Sequence, residues 1–250
     1  MGRARAQRPR RVEALKVRGL EAPVEIRRHP SARRMTLRVS RTQRAVIVTL
    51  PLNCDLKQAG DFLLSHLDWV RERLGRVPEP EPFAHGNLIP LRGVPHRLRF
   101  LADGQRRVRV RVQAVGDSLE ICIPGDVDIA PRRLRQWLMA EAKRDLERRV
   151  AFHAKRLDLV PQRISVRDQL SRWGSCSSNG NLSFSWRLVM APPAILNYVA
   201  AHEVAHLEEM NHGPNFWALV RKTCPAMDEA RAWLDLYGIE LHRYGGHGKD

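Results

Sequence analysis

The segment that most constrains this chain is His202-Glu203-Val204-Ala205-His206, in which two histidines lie four residues apart and a glutamate follows the first. On an α-helix, such positions share one face, so both imidazoles can converge on one metal ion at about 2.0–2.1 Å. Glu203 borders that face and can reach the open coordination position, where a metal lowers the pKa of a bound water to about 7. The segment therefore predicts a zinc-bound water with Glu203 as its general base.

The neighbouring residues independently predict a helix over residues 194–210. Ile195, Leu196, Val199 and Leu207 supply apolar positions at helical spacing. Two histidines and a glutamate within a core helix would be costly to bury without partners, and this favours a ligand role over a purely structural one.

A catalytic zinc site needs a third protein ligand and one open position. His212 is the strongest candidate, because Asn211 and Gly213 can turn the chain after the helix and fold His212 back toward the ion. Glu229, a carboxylate from the next predicted helix, is the second choice. The remaining downstream candidates are Glu208, Glu209, Asp228, Asp235 and His242.

Composition narrows the class of protein. Of 250 residues, 43% are hydrophobic, as in folded globular proteins, and no run of about 18 apolar residues could span a membrane. The N-terminus lacks the apolar segment of a secretory signal. The four cysteines are widely spaced, so we expect reduced thiols in a cytoplasmic protein.

The net charge of +16 is concentrated at the N-terminus, where residues 1–50 hold 14 of the 43 Lys and Arg residues and 3 of the 27 acidic ones. A basic arm can bind phosphate backbones without sequence preference, which makes a nucleic acid a possible partner. Arginine is abundant along the whole chain, so this charge also reflects the overall amino-acid composition and does not by itself indicate a binding surface. We predict residues 1–22 to be a basic flexible tail.

Apolar periodicity and turn residues predict the remaining elements. A hairpin over residues 33–50 precedes a helix over 55–74, and Pro78-Glu79-Pro80-Glu81-Pro82 marks a candidate boundary. The order of strands, proline and long helix occurs twice, once around Pro51 and again around Pro124, which is a weak sign of an internal repeat. The further strands are predicted near residues 88–91, 96–100, 108–112, 118–123, 160–166 and 181–189, and the further helices over 129–157, 215–222 and 227–237.

Several segments around the histidines together resemble the YgjP-like metallopeptidase family, which is related to the SprT-like zinc proteases. They are residues 171–178, 180–188, 191–192, 198–199, 202–207, 211–212 and 216–217. The combination of Trp-Gly-Ser-Cys with His-Glu-x-x-His-Leu and Asn-His is highly specific. The resemblance is dense over residues 158–242 and looser before them.

The resemblance implies an α+β fold, with a zincin-like metallopeptidase core and a preceding sheet-and-helix region. We accordingly expect residues 23–157 to form an N-terminal strand and helix region and residues 158–250 to form the metallopeptidase domain. It also implies three histidine ligands to Zn²⁺ and a catalytic glutamate, which fall on His202, His206, His212 and Glu203. Substrate contacts are expected from Arg172, Trp173 and Ser175.

The predicted function is hydrolysis of peptide bonds in a peptide or protein substrate. An extended peptide could add to a strand edge near residues 181–186. A second group that stabilises the oxyanion is usual, and the candidates are Arg172, Tyr237, His242 and Tyr244. Two alternatives remain open, namely a metal-dependent phosphohydrolase acting on nucleotides, and a basic nucleic-acid or partner-binding protein on a zincin fold.

Overall fold

The computed structural model describes residues 12–15, 17, 19–40, 42–101 and 109–246, and these form two compact units that divide between Pro78 and Glu79. The described fold combines sheets and helices, which confirms the predicted α+β class. Among the described helices, none has the length and apolar content of a membrane span.

The first unit is a four-stranded sheet covered by two short helices. Its elements are β1 (Val12–Leu15), β2 (Val24–Arg28), β3 (Thr36–Ser40), β4 (Ala45–Leu50), α1 (Leu56–Leu64) and α2 (Leu67–Gly75). The strand order is β1-β2-β4-β3, with β2 and β4 parallel and the outer pairs antiparallel. Buried residues of β2 and β4 pack against the apolar faces of both helices, so the core lies between these two layers.

The single helix predicted over residues 55–74 is wrong, because the chain forms two helices there. Asp55 begins α1 with a capping box that includes Gln58. At the other end, the Ser65 hydroxyl donates to the Phe62 carbonyl at 2.9 Å, and the His66 ring lies at the same distance from that oxygen. Side chains that bond to the preceding turn in this way compete with helix continuation.

The described residues of the second unit form two sheets and four α-helices. The first sheet has the order β5-β6-β8-β7, and the second has the order β10-β11-β9. The elements are β5 (Leu88–Leu91), β6 (Val94–Leu101), β7 (Arg111–Val115), β8 (Ser118–Pro124), α3 (Ala130–Leu157), β9 (Arg163–Arg167), β10 (Gly174–Cys176), β11 (Asn181–Ser185), α4 (Pro193–Ala205), α5 (Pro214–Thr223) and α6 (Met227–Tyr237), with 3₁₀ helices over Trp186–Val189 and Gly238–His242.

Two predicted elements in this unit end earlier than expected. The strand predicted over residues 181–189 stops at Ser185, because fully buried Arg187 turns to form an ion pair with Asp168 and the chain tightens into a 3₁₀ helix. The helix predicted over residues 194–210 ends at Ala205, where Leu207 and Glu208 donate backbone hydrogen bonds to carbonyls three residues back.

The predicted division of the chain at residues 157–158 differs from the observed units. Helix α3 ends at that point, but it packs on α4 and contributes Leu134, Leu146 and Val150 to the same core as Phe184 and Val204. The units instead divide within the proline-rich segment. Within the predicted tail, β1 pairs with β2, whereas residues 1–11, 16 and 18 lie outside the described part of the chain.

Candidate metal centre

Helix α4 carries two of the three predicted ligands on one face of the second unit's core. Ile195, Leu196 and Val199 are buried within that core, which fixes the rotation of the helix. His202 is therefore half-buried beside the fully enclosed part of the helix, and His206 lies one turn further on.

The segment after α4 brings the third histidine back to the other two. One ring nitrogen from each of His202, His206 and His212 lies within 4.8 Å of the others. The Nε2 atoms of His202 and His212 are 3.1 Å apart. Tetrahedral ligands at zinc–nitrogen distances of about 2.0–2.1 Å are about 3.4 Å apart, which is close to the separation of the His202 and His212 nitrogens.

Alternative ligands do not join this cluster. Among the described residues, His202, His206 and His212 form the cluster of side chains that could hold a metal ion together, and Glu229 is not part of that cluster. A fourth coordination position is therefore open for water or substrate in a tetrahedral site.

Neighbouring groups orient the histidine rings. The Nδ1–H of His206 donates to the Glu209 carbonyl at 2.9 Å, which leaves Nε2 as the ligand atom. The His206 ring packs on Phe216 with centroids 4.5 Å apart, and the His212 ring stacks on Trp217 at 5.7 Å. The turn that ends α4 early thus also fixes the ring that a metal would need.

The environment favours the neutral, ligand form of His202 and His206. Burial lowers the pKa of His202 to about 3, with further contributions from His206, His212 and the guanidinium of Arg231. Burial also lowers the pKa of His206. A metal can therefore bind without first displacing protons from these rings near neutral pH.

Glu203 is held beside the cluster without a polar partner. Its side chain is 5% exposed, and its Oε2 atom has no hydrogen-bond partner among the described residues. Burial raises the pKa of Glu203 to about 8, an effect that the nearby charge of Arg172 partly offsets. A carboxyl with this pKa can exchange a proton near neutral pH.

Gly174, which sequence reasoning missed, makes room for this carboxyl. A Cβ atom at Gly174 would lie 2.5 Å from Oε1 of Glu203 and 2.6 Å from its Cγ, so any other residue at this place in β10 would have to displace the carboxyl. No local sequence pattern signals this contact, because it depends on how β10 packs beside α4.

The residues predicted to contact substrate occupy different places. The Trp173 ring lies 4.9 Å from the His242 ring and would be 3.2 Å from a Cβ at Gly238, so it anchors the start of β10 against the C-terminal 3₁₀ helix. Ser175 lies within β10, and Arg172 is exposed just before it. The structure thus groups this segment around Glu203.

The predicted docking edge near residues 181–186 is wrong. Strand β11 is the central strand of its sheet and is hydrogen-bonded to β10 on one side and β9 on the other, so its backbone is already paired. Among the described strands, the free edge on the side of Glu203 belongs to β10.

The backbone groups that face this free edge can be identified from the ladder. The Trp173 carbonyl accepts from the Ser185 N–H at 2.9 Å, and the Ser177 N–H donates to the Asn181 carbonyl at 3.0 Å. The odd-numbered residues of β10 thus bond to β11. Because the direction of the backbone groups alternates along a strand, the N–H and C=O groups of Gly174 and Cys176 point to the open side.

The candidates for a second oxyanion stabiliser are dispersed. Tyr237 and Tyr244 line a separate cavity of about 320 Å³ together with Trp233. His242 packs on Trp173. Arg231 was not among the candidates, yet its guanidinium lies 5.3 Å from the centre of the Trp217 ring and its charge acts on His202.

The chain was compared with known proteins. The family model described as "YgjP-like, metallopeptidase domain" matches residues 33–237. No curated protein matches the chain significantly. The crystal structure of the metallopeptidase zymogen of Pyrococcus abyssi abylysin is 18% identical, with a TM-score of 0.32 over 36% of this chain and 94% of that chain.

Proposed function

The chain belongs to the YgjP-like metallopeptidase family, and from this premise we propose that it is a zinc-dependent peptidase with His202, His206 and His212 as ligands and Glu203 as general base. The observation that carries the proposal is the convergence of three histidine nitrogens within 4.8 Å beside Glu203, whose buried Oε2 atom has no hydrogen-bond partner among the described residues. Family membership itself implies a divalent metal and a peptide or protein substrate.

Zinc is the ion that this ligand set favours. Three neutral imidazoles with one open position are typical of catalytic zinc, whereas magnesium and calcium prefer oxygen ligands. When bound, the ion would lower the pKa of a coordinated water and polarise the scissile carbonyl.

Glu203 performs the proton transfers. Its carboxylate accepts a proton from the attacking water as the water oxygen bonds to the scissile carbonyl carbon. Burial of Glu203 favours its protonated form, so it can hold that proton until the amine of the scissile bond takes it. Delivery of the proton to the amine nitrogen lets the bond to the carbonyl carbon break, and Glu203 returns to its carboxylate form.

The open edge of β10 gives an extended substrate a place to bind. The backbone groups of Gly174 and Cys176 can pair with a peptide strand, which would then run beside Glu203. Pairing through main-chain groups would align the substrate with little dependence on its side chains.

The decisive experiment combines metal analysis with peptide cleavage. Purified wild type should contain about one zinc per chain and cleave an unfolded protein such as casein, His206→Ala should lose both, and Glu203→Gln should keep zinc but lose cleavage by about 100-fold or more. His66→Ala, an exposed histidine in the first unit, is the matched control and should match wild type.

Two results would overturn the proposal. One is a wild-type protein that binds no zinc after reconstitution. The other is a zinc-loaded protein that cleaves a nucleoside triphosphate but no peptide, which would favour phosphohydrolase chemistry at the same site.

The cysteines bear on where the protein works. The four cysteines are free, which supports our proposal of a reducing, cytoplasmic location. Nothing in the family match supports nucleic-acid binding.

A further inference from the structure

A second cavity, which we name the α3 groove, lies in the second unit between helix α3 and the segment that leads into α4. Its volume is about 480 Å³, within the range of ligand sites, which is about 300–1,000 Å³. It is lined at its base by apolar residues and at its rim by arginines.

The base of the groove is apolar and rigid. Leu188, Val189 and Ala191 are almost fully buried, and Leu196 from the second turn of α4 is 4% exposed. These residues belong to the main core of the unit and form a rigid floor with almost no accessible surface. The apolar surface open to a ligand is that of Pro193 and Phe152, which are exposed above this floor.

One arginine of the rim is already neutralised and fixed in place. The Arg92 Nε donates to Asp145 at 2.8 Å and its Nη2 donates to Glu141 at 2.7 Å. Its backbone, with φ of 52°, is held by a hydrogen bond from its N–H to the Val189 carbonyl at 2.7 Å. Arg92 therefore satisfies both acidic groups of this rim.

Two further arginines leave the rim with surplus positive charge. Arg148 is 74% exposed and approaches Asp145 only to 3.7 Å. Arg149 lines the groove and has no ion-pair partner among the described residues. Because Asp145 is already paired with Arg92, these two guanidinium groups remain available to an anionic ligand.

An exposed aromatic ring completes the mouth of the groove. Phe152 lies one turn beyond Arg148 and Arg149 on α3 and is 43% exposed. The guanidinium of Arg156 lies 5.4 Å from the centre of its ring and holds the ring at the surface. The groove thus offers apolar and aromatic surface directly beside cationic groups.

We propose that the α3 groove binds an acidic peptide segment of a partner protein, in which glutamate or aspartate flanks a large apolar side chain. The apolar side chain packs against the exposed surfaces of Phe152 and Pro193, and the flanking carboxylates pair with Arg148 and Arg149. The surplus of positive charge excludes basic segments and selects acidic ones.

This binding goes beyond the proposed catalysis and does not require the metal. Leu196 precedes His202 by six residues, which is about 9 Å along the helix. The acidic segment could belong to a protein substrate that is cleaved elsewhere along its chain, but the groove itself contains none of the metal ligands.

The test uses a fluorescein-labelled peptide in which paired glutamates flank a leucine–phenylalanine pair, with fluorescence anisotropy as the readout. The double variant Arg148→Glu/Arg149→Glu should bind this peptide at least about tenfold more weakly than wild type does. The matched control is Arg132→Glu/Lys155→Glu, which makes the same charge change at exposed positions of α3 outside the groove and should bind as wild type does.

Two further measurements distinguish this proposal from the catalytic one. His206→Ala should bind the peptide with unchanged affinity, because the metal is not needed. Replacing the leucine and phenylalanine by serine, or the glutamates by glutamine, should weaken binding in each case.

The proposal is overturned by any of three results. The first is that the groove variant binds the peptide as tightly as the control variant does. The second is that the peptide without apolar side chains binds as tightly as the original peptide. The third is that inorganic phosphate or a nucleoside triphosphate displaces the labelled peptide as effectively as unlabelled peptide does. The last result would indicate a site for small anions.

Discussion

At the scale of single residues, the contact between Gly174 and Glu203 determines where the proposed general base lies. We predict that Gly174→Ala lowers peptide cleavage by about 10- to 100-fold while zinc content stays near that of wild type, because the added Cβ would lie 2.5 Å from Oε1 and must displace the carboxyl. Cleavage rate and zinc stoichiometry would be measured on the same preparation.

Gly60→Ala is the control for this substitution, since a Cβ at that helical position meets no atom within 4 Å. Cleavage by Gly174→Ala at the wild-type rate would show that the carboxyl has room to move without cost. Loss of zinc together with cleavage would indicate a wider collapse of the site.

A second residue-scale prediction concerns His153, which is fully buried and whose Nε2 lies 3.0 Å from Asn197 Oδ1. Burial lowers the pKa of His153, so the folded protein keeps it neutral while the unfolded chain takes up a proton below about pH 6.5. Stability should therefore be lost as pH falls from about 6.5 toward the folded pKa, by up to about 1.4 kcal/mol per pH unit.

Urea unfolding of wild type and His153→Gln at pH 7.5 and pH 5.5 would test this. The variant should be less stable at pH 7.5, but its stability should fall less between the two pH values. An identical fall in both proteins would show that His153 does not contribute to the acid sensitivity.

The site residues that could be predicted from the sequence lie close to one another along the chain, whereas the residue that was missed lies far from its contact partner in the sequence. His202, Glu203 and His206 lie within about one turn of helix, so their spacing predicts a shared metal site. His212, six residues further on, was the strongest of several candidates for the third ligand. Gly174 meets Glu203 only because β10 packs beside α4, and no local pattern encodes that contact.

At the scale of secondary structure, the two four-stranded sheets share one topology. In each, the first pair is antiparallel, the second and fourth strands are parallel, and the third pairs antiparallel with the fourth. Each sheet is followed by helix. The weak sign of an internal repeat in the sequence therefore corresponds to a repeated arrangement of strands, although periodicity could not predict the parallel pairings.

Helices were predicted well where an apolar stripe continues to a clear end, as in α3 and α6, whose bounds agree within one residue. Helix ends were predicted poorly where side chains intervene. His66 and Ser65 interrupt one predicted helix, and the turn around His206 ends another, because these contacts depend on geometry that a hydrophobic pattern does not carry.

The free edge of β10 supports a prediction at this scale. Cys176→Pro removes an N–H that faces the open side and leaves intact the hydrogen bonds to β11, so kcat/KM for extended peptides should fall by about tenfold through KM. Cys176→Ala keeps that N–H and is the control. Thermal unfolding and zinc content would verify that both variants fold.

If Cys176→Pro binds and cleaves peptides as Cys176→Ala does, substrate does not pair with β10. The cleft would then have to hold the peptide through side chains such as Arg172 or Arg231, which could be tested by the same kinetic comparison.

At the scale of the whole molecule, the second unit contains every element of the proposed zinc site. The ligands, Glu203 and β10 all belong to it, and its core is continuous from Phe83 to Leu241. The first unit has a separate core between its own sheet and helices. Each unit thus buries its apolar residues within itself, as independently folding domains do.

We therefore predict that residues 79–250 alone fold and bind about one zinc per chain, since the cut falls at the proline-rich boundary and removes no residue of the second core. Elemental analysis and a cooperative thermal transition would check this, with His206→Ala in the same shortened chain as the control for zinc bound elsewhere. A shortened chain that aggregates or binds no zinc would show that the second core needs surface supplied by the first unit. Retained zinc with lost cleavage would instead assign the first unit to substrate binding, because the reacting groups are all present in what remains.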